Sequence, residues 1–298
     1  MNLESVVDIE YHADDFGLFP AQSSRILDCA GNGVLNAVSV MTNGPHLAVC
    51  MESFQPYAGR LAAAVHLNFM EGRAFCPGLL TDPDGTFRAA FGTLLLHSFL
   101  PDRGKYRAAL REEIRTQIST LLPYLEEGRG LRIDGHAHYH MLPVVFDALM
   151  DVIREGRLSV AYIRVPRDPV GVYLRHWGEL EGFRPINLVK VLILDLLAWR
   201  NERKYRGFFS RLERRVFLGV LFSGNMSFQN VSAVLADAKA LAVRKGWGLE
   251  ILAHPGGVRE PEDISALTHK DDRVFLISGN REKEAKMFRK QREASKNA

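Results

Sequence analysis

The sequence has few cysteines and no pattern among them. Cys29, Cys50 and Cys76 are scattered along 298 residues without a CxxC spacing. An odd, unpatterned count is typical of reduced thiols in a cytosolic protein and excludes a disulfide-rich secreted fold. A chain of this length buries enough apolar surface to fold without disulfides or a structural metal.

Long apolar runs and a signal peptide are also missing. The longest apolar candidate, residues 188–199, is short and is interrupted by Lys190 and Asp195, so no transmembrane helix is predicted. The first ten residues carry three acidic side chains and no basic one, which argues against a signal peptide. We therefore expect a soluble, cytoplasmic protein.

The net charge of +3 hides a basic C-terminus. Residues 281–298 hold seven Lys or Arg against three Glu, a charge of +4, so the remaining chain carries −1. A basic tail without strong apolar periodicity is typical of a solvated end, and we predict that it is frayed. Because the rest of the chain is nearly neutral, nucleic-acid binding is not expected.

Short apolar segments alternate with helical ones along the chain. Strands are predicted in residues 6–13, 37–43, 61–69, 131–140, 160–166 and 249–255. Helices are predicted in residues 20–33, 106–128, 143–156 and 230–246. This alternation predicts an α/β architecture with a parallel sheet, and the number of units favours a (β/α) barrel-like fold. We therefore assign residues 1–280 to one domain.

Residues 170–225 interrupt this alternation. The stretch "VLILDLLAWRNERKYRGFFSRLERRVF" is apolar first and then basic, with aromatic residues interleaved. This composition favours an inserted helical segment that covers the barrel mouth or forms a homodimer contact. Two alternatives stay open: an interfacial segment that engages lipid-linked or anionic ligands, and a nucleic-acid contact.

Aspartates and histidines collect near the ends of the predicted strands. They are Asp14, Asp15, His66, Asp134, His136, His138, His140 and His254. The carboxyl ends of parallel strands line the ligand crevice of an α/β fold, so we expect these side chains to share a site. The adjacent carboxylates repel each other unless a cation or a proton relieves them. In "DGHAHYH" the polar residues are spaced by two, which in an extended strand turns them to one face.

Imidazole and carboxylate groups together suit Zn²⁺, Fe²⁺, Ni²⁺ or Mn²⁺. Two histidines and one carboxylate leave coordination positions open for water and a substrate oxygen, and a bound water then has a pKa towards ~7. One aspartate on the metal with a free neighbour supplies a ligand and a base from one dipeptide. A titratable group across the site, such as His254, would protonate a leaving group.

Five ordered motifs resemble those of the YdjC-like carbohydrate deacetylases, which include the chitooligosaccharide deacetylases. They are "ADDFG" (13–17), "HLN" (66–68), "DGHAHYH" followed by "MLP" (134–143), "RVP" (164–166) and "HPG" (254–256). The resemblance implies a distorted TIM-type (β/α) barrel related to the polysaccharide deacetylases. It also implies a divalent metal, magnesium above all, with zinc or another transition metal as the alternative. The implied reaction removes acetyl groups from N-acetylated sugars or oligosaccharides. A lipid-linked form of the substrate stays open because of the composition of residues 170–225.

The resemblance also implies roles for individual residues. Asp15, His66 and His136 correspond to the metal ligands, Asp14 to the general base and His254 to the general acid or oxyanion-stabilising group. Substrate contacts are implied for Asn43, Asn68, Asp134, His138 and Arg164, although a salt bridge at the strand end accounts equally well for Arg164. His12 is not carried over as a ligand, because small or apolar residues usually precede the aspartate pair.

Three other functions stay open at this point. An amidohydrolase-like metal hydrolase would use His136 and His138 as its metal pair. An Fe(II) oxygenase would use two histidines and one carboxylate as its metal ligands. A non-catalytic protein would instead dock its basic segment, residues 200–215, on nucleic acid or a membrane.

Overall fold

Seven parallel strands form one curled sheet in the computed structural model, which describes residues 7–126, 128–259, 261–267 and 270–296. The strands are β1 (Ile9–Phe16), β2 (Ala37–Val40), β3 (Ala62–Leu67), β4 (Leu131–Gly135), β5 (Val160–Ile163), β6 (Arg215–Leu218) and β7 (Gly248–Ala253). Their order across the sheet is β5-β4-β3-β2-β1-β7-β6, so β1 is an interior strand between β2 and β7. Every ladder is parallel, so all the carboxyl ends meet at one rim.

The two edge strands, β5 and β6, approach each other at the back of the curl. The backbone N–H of Glu213, just before β6, donates to the carbonyl of Ala161 in β5 at 2.9 Å. Arg132 of β4 pairs with the Glu213 carboxylate across the same gap at 3.0 Å. The sheet therefore curls into a distorted barrel, and the predicted (β/α) barrel-like fold is confirmed.

Helices surround the sheet. Among the described residues the α-helices are α1 (Pro20–Asn32), α2 (Leu47–Phe54), α3 (Phe91–His97), α4 (Arg103–Leu121), α5 (Pro143–Glu155), α6 (Val170–Arg175), α7 (Pro185–Lys204), α8 (Arg206–Phe209), α9 (Phe228–Lys245), α10 (Pro261–Ala266), α11 (Lys270–Leu276) and α12 (Asn280–Lys296). Short 3-10 turns occupy Gln55–Tyr57, Leu122–Tyr124, His136–Met141 and Trp177–Glu179. None of the helices in the described ranges is long and apolar enough to cross a membrane.

The inserted helical segment predicted for residues 170–225 is shorter than expected. It does contain α6, α7 and α8, but Arg215–Leu218 form the barrel strand β6, which pairs with β7. The sequence pattern hides this strand because only four residues pair and basic residues precede them. The helical insertion therefore ends before Arg215.

The frayed tail predicted for residues 281–298 is wrong for the part that the structure describes, and residues 297–298 lie outside that part. Residues 280–296 form α12, which packs against α1 and α9. The buried positions follow a helical period, but several of them are polar: Arg281, Glu284, Ala285, Met287, Phe288 and Gln291. Because three of the six buried positions are polar, apolar periodicity alone predicts a solvated tail here.

A buried carboxylate, Asp147 on α5, ties three helices together. Arg200 on α7 binds both of its oxygens at 3.0 and 2.8 Å, and Lys204 lies 2.9 Å away. The Tyr205 hydroxyl donates to Asp147 at 2.6 Å, and Arg103 on α4 completes the cluster. Burial would raise the pKa of Asp147, but these hydrogen bonds and charges hold it well below its usual value.

We expect Asp147→Ala to lower the free energy of unfolding at pH 7 by about 2–3 kcal/mol. This is less than the ~3–5 kcal/mol of a fully buried pair, because the three cations are partly exposed and can rehydrate. Because the pKa of Asp147 is lower in the folded than in the unfolded protein, its ionised carboxylate stabilises the fold above the unfolded pKa of ~4. This stabilisation is lost as the pH falls below that value. Urea unfolding should therefore show a constant difference between wild type and variant from pH 7 down to about 4, and a smaller difference at pH 3. The matched control is Asp151→Ala, which breaks a more exposed pair with Arg107 and should cost less than about 1 kcal/mol.

Candidate active site

Two adjacent carboxylates, Asp14 and Asp15, lie at the carboxyl end of β1. Side chains normally alternate between the faces of a strand, which would separate Asp14 from Asp15. The backbone of Asp15 instead has a positive φ of 67°, and the ladder with β2 shifts register between Ala13 and Phe16. Such a bulge re-aims a side chain, and here both carboxylates reach His66: the oxygens of Asp15 and Asp14 lie 3.5 and 4.0 Å from its Nε2.

The histidines of "DGHAHYH" do not share one face. β4 ends at Gly135, and a 3-10 turn follows in which Ala137 and His138 have positive φ values of 46° and 60°. The strand predicted for residues 131–140 is therefore wrong beyond Gly135. The turn sends His136 towards Asp15, while Nε2 of His140 contacts the carbonyl of Arg164 at 2.9 Å.

Asp15, His66 and His136 are brought together, as the sequence predicted. Each offers one ligand atom, these atoms lie within 4.8 Å of one another, and all three residues are buried. Nδ1 of His136 is 2.9 Å from Oδ1 of Asp15, and the two imidazole rings meet edge to face at 5.5 Å. Nε2 of His66 is buried and has no hydrogen-bond partner within the described chain. A bound cation would satisfy this nitrogen, so the donor set fits a divalent metal.

The orientation of His66 is fixed through Nδ1, the ring nitrogen that faces away from the ligand set. Its Nδ1 lies 2.7 Å from Oδ1 of Asp134, whose other oxygen accepts a hydrogen bond from Ser39. Ser39 in turn lies 2.6 Å from Nε2 of His12, and Nδ1 of His12 lies 2.7 Å from Glu10. A carboxylate on the far nitrogen of a metal-binding histidine sets its tautomer and ring orientation. Asp134 therefore supports His66, and the geometry does not direct it towards a substrate.

The charges of the site oppose the cost of burial. Burial would raise the pKa of Asp15, but the positive charge of His136, its hydrogen bond with Asp15, the nearby imidazole of His66 and the charge of Arg281 hold this pKa well below its usual value. Burial would lower the pKa of His66, but the carboxylates of Asp14 and Asp134 raise it to about 9. The carboxylates around His66 thus favour a positive charge next to its ring, and a bound divalent cation would supply that charge.

Arg164 holds Asp14 in place. Its Nη1 lies 3.0 and 2.9 Å from the two oxygens of Asp14. Its Nη2 pairs with Asp134 at 2.9 Å and its Nε with Glu250 at 2.7 Å, and the side chain is fully buried. Of the two interpretations of Arg164, the structure supports the salt bridge at a strand end rather than a substrate contact.

His254 follows β7 on the other side of Asp14. Its Nε2 lies 4.0 Å from Oδ2 of Asp14, and its ring meets Phe275 edge to face at 5.2 Å. Burial lowers the pKa of His254, and the charge of Arg281 lowers it further. A largely buried imidazole beside a fixed carboxylate is suited to proton transfer.

The chain is similar to known proteins over most of its length. The family model described as YdjC-like protein matches residues 9–296. The chain belongs to the YdjC-like protein family. This YdjC-like protein is 24% identical over 296 residues to a carbohydrate deacetylase of Xenopus laevis, with 91% of this chain and 88% of the relative covered. It is 29% identical over 204 residues to a chitooligosaccharide deacetylase of Yersinia pestis (strain Pestoides F), with 64% and 75% covered.

A solved structure shares the fold. The YdjC-like protein superimposes on a protein of Enterococcus faecalis V583, described as a proposed cellobiose-phosphate cleavage protein, with a TM-score of 0.68. The match covers 98% of this chain and 95% of the other at 16% identity, so it supports the fold alone.

Two site residues of this YdjC-like protein escaped the sequence prediction, and both lie on α12. Nη2 of Arg281 is 3.5 Å from Oδ2 of Asp15, and Nη1 donates to the carbonyl of His254 at 3.0 Å. Glu284 accepts a hydrogen bond from the backbone N–H of His254 at 2.6 Å. The sequence carries no local signal for them, because they are two polar residues within a basic segment.

Asn43 and Asn68 lie in the rim loops of the YdjC-like protein but serve its backbone. The Asn68 amide donates to Asn43 at 3.0 Å and to the carbonyl of Glu71 at 2.6 Å, while its carbonyl oxygen accepts from two N–H groups. Nδ2 of Asn43 donates to the carbonyls of Glu71 and Arg73 at 3.0 and 3.2 Å. Both side chains therefore shape the loop after β3. His138, the remaining implied substrate contact, packs edge to face against Phe217 at 6.1 Å.

Proposed function

We propose that this YdjC-like protein is a metal-dependent hydrolase that deacetylates N-acetylated sugars or oligosaccharides. The reaction adds water across the acetamide C–N bond and yields acetate and a sugar amine. The observation that carries the proposal is the buried set of Asp15, His66 and His136 with Asp14 and His254 at its edge. The deacetylase names of the relatives support the same reaction.

The residues divide the work of amide hydrolysis among them. A divalent ion held by Asp15, His66 and His136 would polarise the acetyl carbonyl and acidify a water molecule. Asp14 is the general base, because Oδ2 points at the ligand set and Arg164 holds the carboxylate in one position. His254 gives a proton to the amine as the C–N bond breaks, so that the leaving group departs neutral.

The donor set also bears on the choice of metal. Two imidazoles and one carboxylate suit Zn²⁺, Fe²⁺ or Mn²⁺, whereas Mg²⁺ prefers oxygen ligands and keeps several waters. Magnesium, which the family resemblance implied, stays a prediction. On chemical grounds we favour a transition-metal ion in the group formed by Asp15, His66 and His136.

Acetate release from a panel of N-acetylated compounds tests the proposal. The panel contains N-acetylglucosamine, chitooligosaccharides and a lipid-linked N-acetylated sugar, and the enzyme is first stripped with a chelator. We expect acetate only after Zn²⁺, Mn²⁺, Fe²⁺ or Mg²⁺ is added back, in equal amount to the free amine formed. An O-acetylated sugar serves as the control that separates amide from ester hydrolysis. The proposal is wrong if no member yields acetate with any metal.

A further inference from the structure

The outward face of α7 is apolar. The inward positions are buried and comprise Asn187, Val191, Leu194, Leu197, Ala198 and Asn201. Seven large apolar side chains between them are exposed by 37% to 64%: Ile186, Leu188, Val189, Leu192, Ile193, Leu196 and Trp199. We call these seven residues the outer face of α7. A helix on a protein surface normally turns polar residues to water, so a contiguous apolar face marks an interaction site.

The outer face of α7 borders the rim that carries the candidate active site. On the inward side, Nδ2 of Asn201 donates to the carbonyl of Met141 at 2.8 Å, and Nδ2 of Asn187 donates to that of Leu221 at 3.1 Å. Both carbonyls belong to loops after the carboxyl ends of β4 and β6. The helix is therefore fastened across these loops at both ends, with its apolar face turned away from the barrel.

Basic residues are frequent in and around α7. Residues 184–211 contain seven Lys or Arg and two acidic residues, a charge of +5, whereas the whole chain carries +3. Two of the seven, Arg200 and Lys204, pair with Asp147 on the inward side. The two acidic residues, Asp195 and Glu202, are engaged by Arg167, and Glu202 also by Arg214. The guanidinium of Arg203 lies 5.5 Å from the ring centre of Trp199 at the end of the face. The surface thus combines exposed Leu, Ile and Trp side chains with an excess of positive charge.

We propose that the outer face of α7 docks on an anionic lipid bilayer, with the helix lying in the plane of the interface. Leu, Ile and Trp would enter the boundary between headgroups and acyl chains, and the flanking Lys and Arg would contact anionic headgroups. As for interfacial helices, binding would depend on the exposed apolar area together with electrostatic attraction to the headgroups. The proposal is independent of the deacetylation proposed above and would hold for any reaction at the rim.

The charge also argues against a second copy as the occupant. In a twofold dimer the same patch meets itself, so the +5 segment would face another +5 segment. Like charges placed together across an interface disfavour association, whereas an anionic bilayer supplies the opposite charge. The bilayer therefore accounts for both the apolar and the basic part of the surface.

Vesicle co-sedimentation of the full chain tests the docking surface. The probes are vesicles of phosphatidylcholine alone and of phosphatidylcholine mixed with phosphatidylglycerol. We expect binding to the mixed vesicles that weakens as salt is raised, and at least about 10-fold weaker binding by Leu192→Ser/Leu196→Ser. The matched control is Leu96→Ser/Val243→Ser, which changes two exposed apolar residues on α3 and α9 and should bind as the wild type does. Lys190→Gln/Arg203→Gln should remove the preference for phosphatidylglycerol.

Three results would overturn the proposal. The first is that wild type does not bind the mixed vesicles, and the second is that Leu192→Ser/Leu196→Ser binds them equally well. The third is a dimer in analytical ultracentrifugation that this double variant dissociates, which would assign the face to a second copy. Because both leucines are exposed, the double variant should keep the wild-type melting temperature, which verifies that it is folded.

Discussion

Asp14→Asn should lower turnover by about 10²–10⁴-fold, the range that a positioned general base supplies, while metal binding is retained. The amide of the asparagine cannot take a proton from the attacking water. Oδ2 of Asp14 lies 4.0 Å from Nε2 of both His66 and His254, and no other carboxylate oxygen of the described residues pairs with both histidines. Metal binding should survive because Asp14 lies outside the ligand group formed by Asp15 and the two histidines. Initial rates of acetate release, with the metal content of the same sample, check both parts.

A matched variant separates the loss of the base from the loss of a charge beside Arg164. Glu250→Gln removes another carboxylate that pairs with Arg164, at 2.7 Å from its Nε, but leaves Asp14 in place. The side-chain oxygen of the introduced asparagine still accepts a hydrogen bond from Nη1 of Arg164, so Asp14→Asn should fold. We expect Glu250→Gln to retain much more turnover than Asp14→Asn. Equal losses, or full turnover by Asp14→Asn, would remove Asp14 as the general base.

His66→Ala should weaken metal binding by more than about 100-fold, which exceeds the usual effect of changing an outer-shell residue. The substitution deletes a ligand atom that lies 3.5 Å from Asp15, together with the imidazole that Asp134 orients at 2.7 Å. Titration of Mn²⁺ into chelated protein, followed by electron paramagnetic resonance of the free ion, measures the change.

His138→Ala is the control for the metal site. His138 lies two residues from His136 in sequence, but the left-handed turn at Ala137 and His138 separates the two side chains. His138 is therefore not part of the ligand group formed by Asp15, His66 and His136. We expect its Mn²⁺ affinity to stay within a few fold of wild type. Loss of the metal with His138→Ala and retention with His66→Ala would instead favour the amidohydrolase-like use of His136 and His138.

The grouping of Asp15, His66 and His136 could be predicted from sequence for a simple geometric reason. Each follows or ends a buried apolar strand, and the carboxyl ends of parallel strands meet at one rim whatever the details of the helices. The same argument places His254 at the end of β7. The barrel and the position of its ligand set therefore depend on features that a sequence pattern reports directly.

The remaining parts depend on tertiary structure. The positive φ of Asp15 is rare for a residue other than glycine, and no local sequence pattern predicts it. The turn after Gly135 breaks the period of two on which the shared face of the four polar residues was based. The buried face of α12 is partly polar, because Arg281 and Glu284 are buried against charged and polar groups of the site. Their burial becomes evident only once those partners are in place.

The candidate active site combines residues of β1 with residues of α12, and the ribosome synthesises these two elements at different times. Arg281 is 266 residues after Asp15, so at ~5–20 residues per second it is made roughly 13–50 s later. The flank of β1 that pairs with β7 also stays open until residue 253 has been made. During that interval a nascent chain presents an apolar strand with an unpaired edge, which is a target for chaperones and for aggregation.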